Sequence, residues 1–314
     1  MSALRVMTYN VRYFGHATRG IGSTGRAMTS IARAIAALDP LPDVICLQEL
    51  ETASVRANWA HWRKSPEDTQ LSRLMAALHG ELEAAGKRDR FTANYFPAHT
   101  YKLTKRTNFY TTGLAVLTHN DHVIVEHNAD QPHDITHRRN ENGNLKQTRI
   151  CAHVRLATRA GQTLDVFNAH LSLPAAWTRE FWTGKERMGF GPNQLSEAVN
   201  LLRAVRAQAA GPAFLVVGDF NALPGSPVHR FLREEGFHDA FRAMVCQGDD
   251  EAAKRWPTAG FLNLRFHLDH VFSGPGLRWL DFDDSAPFGT KGARFHGLSD
   301  HVPLIARCSL GPTR

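Results

Sequence analysis

The sequence predicts an α/β fold in which short β-strands alternate with amphipathic helices. Apolar runs of strand length recur along the chain and are bounded by Gly, Pro, Asn and Asp. Longer stretches between several of these runs carry apolar residues at helical spacing. No linker rich in Ser, Gly or Pro divides the 314 residues, so we expect one layered domain spanning residues 1–314.

The elements follow from these patterns in chain order. Strands are expected at residues 4–9, 43–47, 91–96, 113–118, 150–156, 164–168, 213–217, 268–272 and 302–308. Helices are expected at residues 25–38, 70–85 and 193–209. Asp39-Pro40 ends the first helix. Two long segments, residues 128–149 and 174–192, have no predicted regular structure, and loops of this length are usually functional or disordered.

The composition narrows the class of protein. Lys and Arg total 37 against 30 Asp and Glu, a net charge of +7 that favours a polyanionic partner or serves solubility alone. Four dispersed cysteines and no CxxC pair argue against a disulfide framework or a zinc site. The chain opens on a strand-like run rather than a signal peptide, and no apolar run reaches 18 residues. We therefore expect no transmembrane segment and a cytoplasmic protein, unless a leader was removed.

Polar and charged residues abut six of the apolar runs, following four of the predicted strands and lying at the start of two. Such residues are costly to bury without partners, and ligands of α/β sheets bind at strand ends. Each could be structural by itself, since Asn and Asp order turns and a single His often lies satisfied in a core. Six strand ends with this property favour a functional site. They carry Asn10, Gln48-Glu49, His170, Asp219 with Asn221, Asp269-His270 and Asp300-His301.

These residue types suit phosphoester hydrolysis. Carboxylates are hard oxygen ligands, which favours Mg²⁺ and leaves Mn²⁺ open. Hydrolysis of a phosphodiester needs neutralised phosphate oxygens and an activated water. Histidine can donate a hydrogen bond to phosphate or move a proton. The sequence therefore predicts a metal-dependent phosphoesterase.

Six motifs carry a resemblance to a known family. They are TYNVRYFG, ICLQELE, FNAHLS, VVGDFNALPGSP, LDHVF and GLSDHVPL, in this order from Asn10 to His301. The set resembles the endonuclease/exonuclease/phosphatase superfamily. The resemblance implies a deoxyribonuclease I-like fold, a two-layer sandwich of two facing mixed β-sheets flanked by helices.

The resemblance also implies a role for each motif residue. Glu49 would be the principal Mg²⁺ ligand, helped by Asn10, and Asp300 would complete the metal environment or polarise a histidine.

The catalytic set would comprise five residues. Asp219 would activate or orient the attacking water, and Asn221 would contact the scissile phosphate. His301, held by Asp269, would hydrogen-bond the phosphate, and His170 matches a second histidine of the deoxyribonuclease I and sphingomyelinase branches. His270 is expected to be structural.

Departures from the family narrow the branch. Arg12 stands where abasic-site endonucleases carry an acid, and residues 258–268 hold no Trp, which disfavours that branch. In the deoxyribonuclease I branch, the equivalent of His170 pairs with an acid in mid-chain. Residues 100–112 contain no Asp or Glu, so an amide such as Asn108 would have to substitute.

Several substrate classes stay open. A nuclease is the leading hypothesis, with Arg12, Lys185 and Arg187 meeting phosphates while Trp177 and Trp182 stack on bases. The same aromatic residues could instead pack their loop onto the domain. A sphingomyelinase-like lipid phosphodiesterase would rest that loop on a membrane surface. A phosphatase of soluble phosphorylated metabolites or inositol phosphates, and a non-enzymatic binding module, are the remaining alternatives.

Overall fold

The computed structural model describes residues 3–16, 25–51, 69–104, 107–137, 148–174, 188–261 and 263–311. Side chains are described for all of these except 99–104 and 107–111.

Fifteen strands occur in the described residues. In chain order they are β1 (Ala3–Asn10), β2 (Val44–Leu50), β3 (Phe91–Thr104), β4 (Thr107–His119), β5 (Val123–His127), β6 (His133–Asp134), β7 (Ile150–Ala157), β8 (Thr163–His170), β9 (Phe214–Asp219), β10 (His238–Asp239), β11 (Ala259–Phe261), β12 (Leu264–Phe266), β13 (Asp269–Ser273), β14 (Leu277–Phe282) and β15 (Leu304–Leu310).

The helices of the described residues number six. They are α1 (Gly25–Ala36), α2 (Gln70–Ala84), α3 (Pro192–Gln208), α4 (Pro227–Glu234), α5 (Ala240–Met244) and α6 (Asp250–Lys254), with a short 3₁₀ turn at Arg12–Phe14.

Two mixed β-sheets form the scaffold. The first has the strand order β14-β15-β1-β2-β4-β3, and the second has the order β10-β13-β9-β8-β7-β5, with β6 also paired to β7. In each sheet one central pair is parallel, β1 with β2 and β8 with β9, and all the other pairs are antiparallel. Strands β11 and β12 form a separate hairpin.

Three apolar clusters account for the layering. One lies between the sheets and includes Val6 and Val116 of the first sheet with Val166 and Val217 of the second. The second packs α1 and α2 onto the outer face of the first sheet. The third packs α3 and α4 onto the outer face of the second sheet. This is the predicted two-layer α/β sandwich flanked by helices.

The helices form because their apolar residues share one face. Leu71, Leu74, Leu78 and Leu82 of α2 recur every three or four positions and are all buried. The Thr69 hydroxyl accepts the backbone N–H of Ser72 and caps the first turn. Among the described residues, no helix combines the length and apolarity needed to cross a membrane.

Several elements differ from the sequence prediction. Strands β3 and β4 are longer than expected and pair along their length as one hairpin. Strand β6 begins inside the segment predicted to lack regular structure. Strands β5, β10, β11, β12 and β14 were not predicted. Strand β5 is largely exposed and lacks an apolar run of core type, and β10, β11 and β12 span only two or three residues. Helices α4, α5 and α6 were also not predicted, since each spans only five to eight residues.

Candidate functional site

The two parallel pairs bring the polar strand ends of both sheets together. Asn10 at the end of β1 lies opposite Gln48 of β2. His170 at the end of β8 lies opposite Asp219 of β9. Strand β13 runs the other way and places Asp269 opposite the same Asp219. Residues that lie up to 291 positions apart in the sequence therefore converge on one edge of the sandwich. Gln48 is an exception, because its side chain faces the interior, as described below.

An imidazole–carboxylate pair forms one side of the site. His301 Nδ1 lies 2.9 Å from Asp269 Oδ2, and His301 Nε2 lies 3.7 Å from Asp219 Oδ2. Asp269 is fully buried, and its backbone N–H donates to the hydroxyl of Thr258. This arrangement orients the His301 ring, with Nδ1–H donating to Asp269 and Nε2 facing Asp219.

Asn10 links the two sheets through its side-chain amide. Its Nδ2 donates to Glu49 Oε1 at 3.1 Å and to Asp219 Oδ2 at 3.0 Å. Its Oδ1 accepts the backbone N–H of Arg12 at 3.0 Å. Asn10 thus holds the Glu49 and Asp219 carboxylates on either side of its amide group.

Left-handed backbone shapes the turns that carry the site. Glu49 and Asn221 have φ of +58° and +48°, a conformation that is uncommon for residues other than Gly and clusters at functional sites. The backbone N–H of Asn221 donates to Asp219 Oδ1 at 3.0 Å, which closes the turn after β9.

His170 completes the second sheet's contribution. Its Nε2 lies 3.5 Å from Asp219 Oδ2 and 4.0 Å from Glu49 Oε1. Asn221 Nδ2 donates to the backbone oxygen of Leu171 at 2.9 Å and lies 3.3 Å from His170 Nε2. The asparagine amide therefore fixes the position of the histidine ring.

Asp300 lies beside the site but is paired with Arg12. Its Oδ2 contacts Arg12 Nη1 at 2.9 Å, and its Oδ1 accepts the Ser299 hydroxyl at 3.3 Å. Ser299 Oγ also lies 2.8 Å from the backbone oxygen of Asn10. The Arg12 side chain, predicted to contact substrate, is thus placed at the site by a carboxylate.

Arg149 is a cation at the site that the sequence analysis did not single out. It lines a small, half-open pocket together with Glu49, Thr112 and His170. Its Nε donates to the Ser172 hydroxyl at 3.3 Å, and that hydroxyl lies 2.8 Å from a Glu197 oxygen. A lone arginine before a strand carries no local signal, so only its position in the fold marks it.

Burial and neighbouring charges perturb the ionisation of these groups. Burial and the charge of Asp269 raise the pKa of Asp219 to about 7. Burial, together with Arg149 and His301, holds the pKa of His170 well below its usual value. Burial alone would lower the pKa of His301, but Asp269 and Asp219 outweigh it and hold that pKa well above the usual value.

The donor set fits a hard divalent cation. Burial and the charge of Asp300 raise the pKa of Glu49, so the carboxylates of this site disfavour one another's charge. A cation among them would reverse that effect. Asp219 and Asp269 add carboxylate oxygens close to one another, and Asp269 Oδ1 is buried without a hydrogen bond in the structure. Oxygen-rich donors of this kind suit Mg²⁺ or Mn²⁺.

A second buried cluster lies behind the turn that carries Asn221. His229 Nδ1 accepts the backbone N–H of Gly225, so its Nε2–H donates to Asp239 Oδ2 at 2.6 Å. His270 Nε2 lies 2.7 Å from the backbone oxygen of Ala222. A metal on His229 Nε2 would require a proton on Nδ1, where it would face the Gly225 N–H. These hydrogen bonds instead hold the turn that carries Asn221 in place, in keeping with a structural role for His270.

Four predicted substrate contacts lie outside the described residues. They are Trp177, Trp182, Lys185 and Arg187. Asn108 lies in β4, opposite Lys102 of β3, in the part of the hairpin where side chains are not described.

Comparison with known proteins identifies the family. The sequence matches the Endonuclease/Exonuclease/phosphatase family over residues 7–301, which is nearly the whole chain. No curated protein sequence matches the chain at a significant level.

Solved structures share this fold at low sequence identity. An endonuclease/exonuclease/phosphatase from Beutenbergia cavernae aligns with a TM-score of 0.63 and 19% identity, over 99% of this chain and 72% of its own. The human Nocturnin catalytic domain with bound sulfate aligns at 0.62 and 17%, over 98% and 94%. A mannosyl-6-phosphatase from Bacteroides thetaiotaomicron aligns at 0.60 and 16%, over 98% and 100%. The chain belongs to the endonuclease/exonuclease/phosphatase family and is, like its members, a metal-dependent phosphoesterase.

Proposed function

We propose that the protein is a Mg²⁺-dependent phosphodiesterase that acts on nucleic acid. The observation that carries the proposal is the arrangement of His301, Asp219 and Asn221 around one open edge, with Arg12 and Arg149 beside it. A phosphodiester in a polynucleotide has negative charge at the reacting phosphate and on both sides of it. Two arginines at the rim and a net charge of +7 complement that charge distribution.

His301 is proposed to donate a hydrogen bond to the scissile phosphate. Asp269 accepts its Nδ1–H and raises its pKa, so the ring keeps its second proton on Nε2 at neutral pH. That N–H points toward the space in front of Asp219, where charge would develop on a phosphate oxygen. A charged donor in a water-poor site stabilises such charge more strongly than water does.

Asp219 is proposed to accept the proton of the attacking water. In the metal-free protein the pKa of Asp219 is about 7, so its carboxylate is a better base than an ordinary aspartate. A bound cation nearby would lower that pKa and favour the ionised form at neutral pH. Asn10 and the backbone N–H of Asn221 hold its two oxygens in place. The Asn221 amide, which faces His170, is proposed as a neutral donor to a second phosphate oxygen.

Glu49, with Asn10 and Asp300 beside it, is proposed to hold the Mg²⁺ ion. The bound ion would supply charge neutralisation on the phosphate oxygens. Glu49 has a partly exposed side chain at the edge of the site, and Asn10 Nδ2 fixes one of its oxygens. Arg12 keeps Asp300 at the same edge.

The second candidate is a phosphatase of soluble phosphorylated metabolites. It is favoured by the structural likeness to a mannosyl-6-phosphatase. The lipid phosphodiesterase alternative depends on the aromatic loop, which lies outside the described residues.

The test is a side-by-side assay of hydrolysis. Plasmid DNA, single-stranded DNA, RNA, sphingomyelin vesicles and mannose 6-phosphate are each incubated with Mg²⁺ and with EDTA. We expect EDTA-sensitive cleavage of a nucleic acid, a loss of at least about 100-fold in His301→Ala, and wild-type turnover in the control His238→Ala. His238 is exposed on β10, away from the site. Release of inorganic phosphate from the sugar, with intact nucleic acids, would replace the nuclease with the phosphatase.

A further inference from the structure

Two buried glutamines lie directly behind the site without belonging to it. Gln70 is the first residue of α2, and Gln194 lies in the first turn of α3. Their side chains are 1% and 0% exposed. Because both side-chain amides are buried, they need hydrogen-bond partners within the protein. Both find such partners on the turns that carry site residues.

Gln70 ties together two turns of the first sheet. Its Oε1 accepts the backbone N–H of Glu51 at 2.9 Å, two residues beyond Glu49. Its Nε2 donates to the backbone oxygen of Tyr13 at 3.3 Å, next to Arg12. One amide therefore spans the turn after β2 and the turn after β1.

Left-handed backbone occurs in the turn after β1 and at Glu49, which lies at the bulge of β2 just before the second turn. Arg12, Tyr13 and Phe14 have φ of +44°, +54° and +55°, and Glu49 has φ of +58°. Such backbone persists only where the surrounding contacts hold it, because each residue has a more stable alternative. Gln70 supplies one contact to each turn. These turns position Glu49 directly, and they position Asp300 through Arg12.

Gln194 holds two turns of the second sheet. Its Nε2 donates to the backbone oxygen of Asn221 at 2.7 Å and to that of Ser172 at 2.9 Å. Its Oε1 accepts the backbone N–H groups of Gly189 and Gly191 at 3.0 and 3.2 Å. Asn221 is itself left-handed, and the Ser172 hydroxyl accepts Arg149 Nε. Gln194 thus holds the turns that carry the groups proposed to bind the phosphate.

We infer that the two glutamines are positioning residues with separate tasks, Gln70 for the metal ligands and Gln194 for the phosphate-binding groups. The inference rests on the proposed function and deepens it. Neither side chain touches the reacting atoms. Each sets the position of a backbone turn, and a shift of about 1 Å in such a turn weakens what the turn binds.

Substitution by methionine separates the two tasks. Gln70→Met and Gln194→Met keep side-chain length and remove all hydrogen bonds, so each serves as the matched control for the other. Isothermal titration of metal-free protein with Mn²⁺ should show a Kd about tenfold weaker in Gln70→Met and within about twofold of wild type in Gln194→Met. Competitive inhibition by inorganic phosphate at saturating Mn²⁺ should weaken about tenfold in Gln194→Met and stay within about twofold in Gln70→Met.

Equal effects of the two substitutions on Mn²⁺ binding would overturn the inference, as would unchanged Mn²⁺ binding in Gln70→Met. Circular dichroism confirms folding at the titration temperature. If Gln70→Met does not fold, Gln70→Glu, which keeps the acceptor for Glu51, is titrated under the same criterion. Absence of metal-dependent turnover in the wild type would refute the proposed function alone, because the Mn²⁺ titrations need no substrate.

Discussion

Asp219 has four neighbours that act on its charge in opposite senses. Burial and Asp269 disfavour its ionised form, whereas His301, the backbone N–H of Asn221 and the Asn10 amide favour it. The result is a carboxyl group whose pKa of about 7 lies above the value of about 3.9 expected in the unfolded chain. The same residue accepts hydrogen bonds from both sheets, so its protonation is coupled to folding as well as to catalysis.

In the metal-free protein, the titration of Asp219 should cost stability as the pH rises from about 4 to about 7. A group whose pKa is higher in the folded than in the unfolded protein stabilises the fold fully at pH values below its unfolded pKa, and this stabilisation is lost as the pH rises through its folded pKa. His301, whose pKa is also raised, adds a loss above about pH 6.5. Urea denaturation in EDTA at several pH values measures the decline.

Asp219→Asn is the matched variant for this measurement. Its free energy of unfolding should fall less steeply over the same range, because the amide does not titrate. Histidines with lowered pKa values, His170 and His270, act in the opposite sense below about pH 6.5, but both proteins contain them, so the difference in slope between the two proteins reports Asp219. An equal slope in the two proteins would show that another group is responsible.

At the residue level, the sequence reveals charge but not partners. Glu49, Asp219 and His301 could be singled out because each lies beside a recognisable apolar run. Gln70 and Arg149 could not, since their partners lie in distant segments and no local period marks them. The pairing of Asp300 with Arg12 is equally invisible, because it depends on a turn at positive φ.

Strand β9 owes its close approach to β8 to a glycine. A Cβ atom on Gly218 would lie 1.9 Å from the backbone oxygen of Ala169, and its φ is +142°. Because Asp219 follows directly, any retreat of β9 would move that carboxylate away from His170.

Gly218→Ala should therefore destabilise the fold by about 3 kcal/mol or more, through steric overlap and backbone strain. Gly80→Ala is the control, since Gly80 is exposed in α2 and a Cβ there has no neighbour within 4 Å. It should stabilise the protein by up to about 1 kcal/mol through helix propensity. Equal unfolding midpoints of the two variants in urea would contradict this account of β9.

The two sheets are joined by a buried amide pair. Gln48 Nε2 donates to Asn168 Oδ1 at 2.8 Å. Asn168 Nδ2 donates to the backbone oxygens of Leu47 and Ala115 at 3.0 and 3.1 Å. Gln48 appeared in the sequence as part of the strand-end set, yet its side chain faces the interior.

Asn168→Leu should lower the free energy of unfolding by about 2 to 4 kcal/mol, because it leaves buried carbonyl groups and the Gln48 amide with fewer partners. The control is Asn120→Leu in an exposed turn, where the change should stay within about 0.5 kcal/mol. Urea denaturation of both variants measures the difference. A small effect at Asn168 would mean that water or a neighbouring amide replaces its hydrogen bonds.

At the scale of the whole molecule, the alternation of strands and helices was sufficient to predict the α/β class. The pairing order was not contained in that pattern, because it joins segments far apart, such as β1 with β15. The family resemblance supplied the facing sheets. Short helices and exposed edge strands stayed undetected, since neither carries a long apolar period.

Because the protein carries a net positive charge, its KM for DNA should depend on the salt concentration. If Arg12 and Arg149 meet phosphates, log KM for plasmid DNA should rise with log salt, with a slope of about 0.9 for each phosphate contacted. Arg149→Gln should lower that slope by about 1. Exposed Arg203 is the control, and Arg203→Gln should leave the slope unchanged. An unchanged slope in Arg149→Gln would remove this residue from the interface.

Because the site lies between the two sheets, its geometry depends on how the two layers pack against each other. Asn10 and Glu49 come from one sheet, and His170 and Asp219 come from the other, so neither sheet alone carries a complete site. A slip between the layers would separate these groups while each sheet keeps its own helices and hydrogen-bonded ladders. On heating, loss of activity would then precede any loss of secondary structure. Turnover would report a change in the packing between the two layers before spectroscopy detects a change in secondary structure.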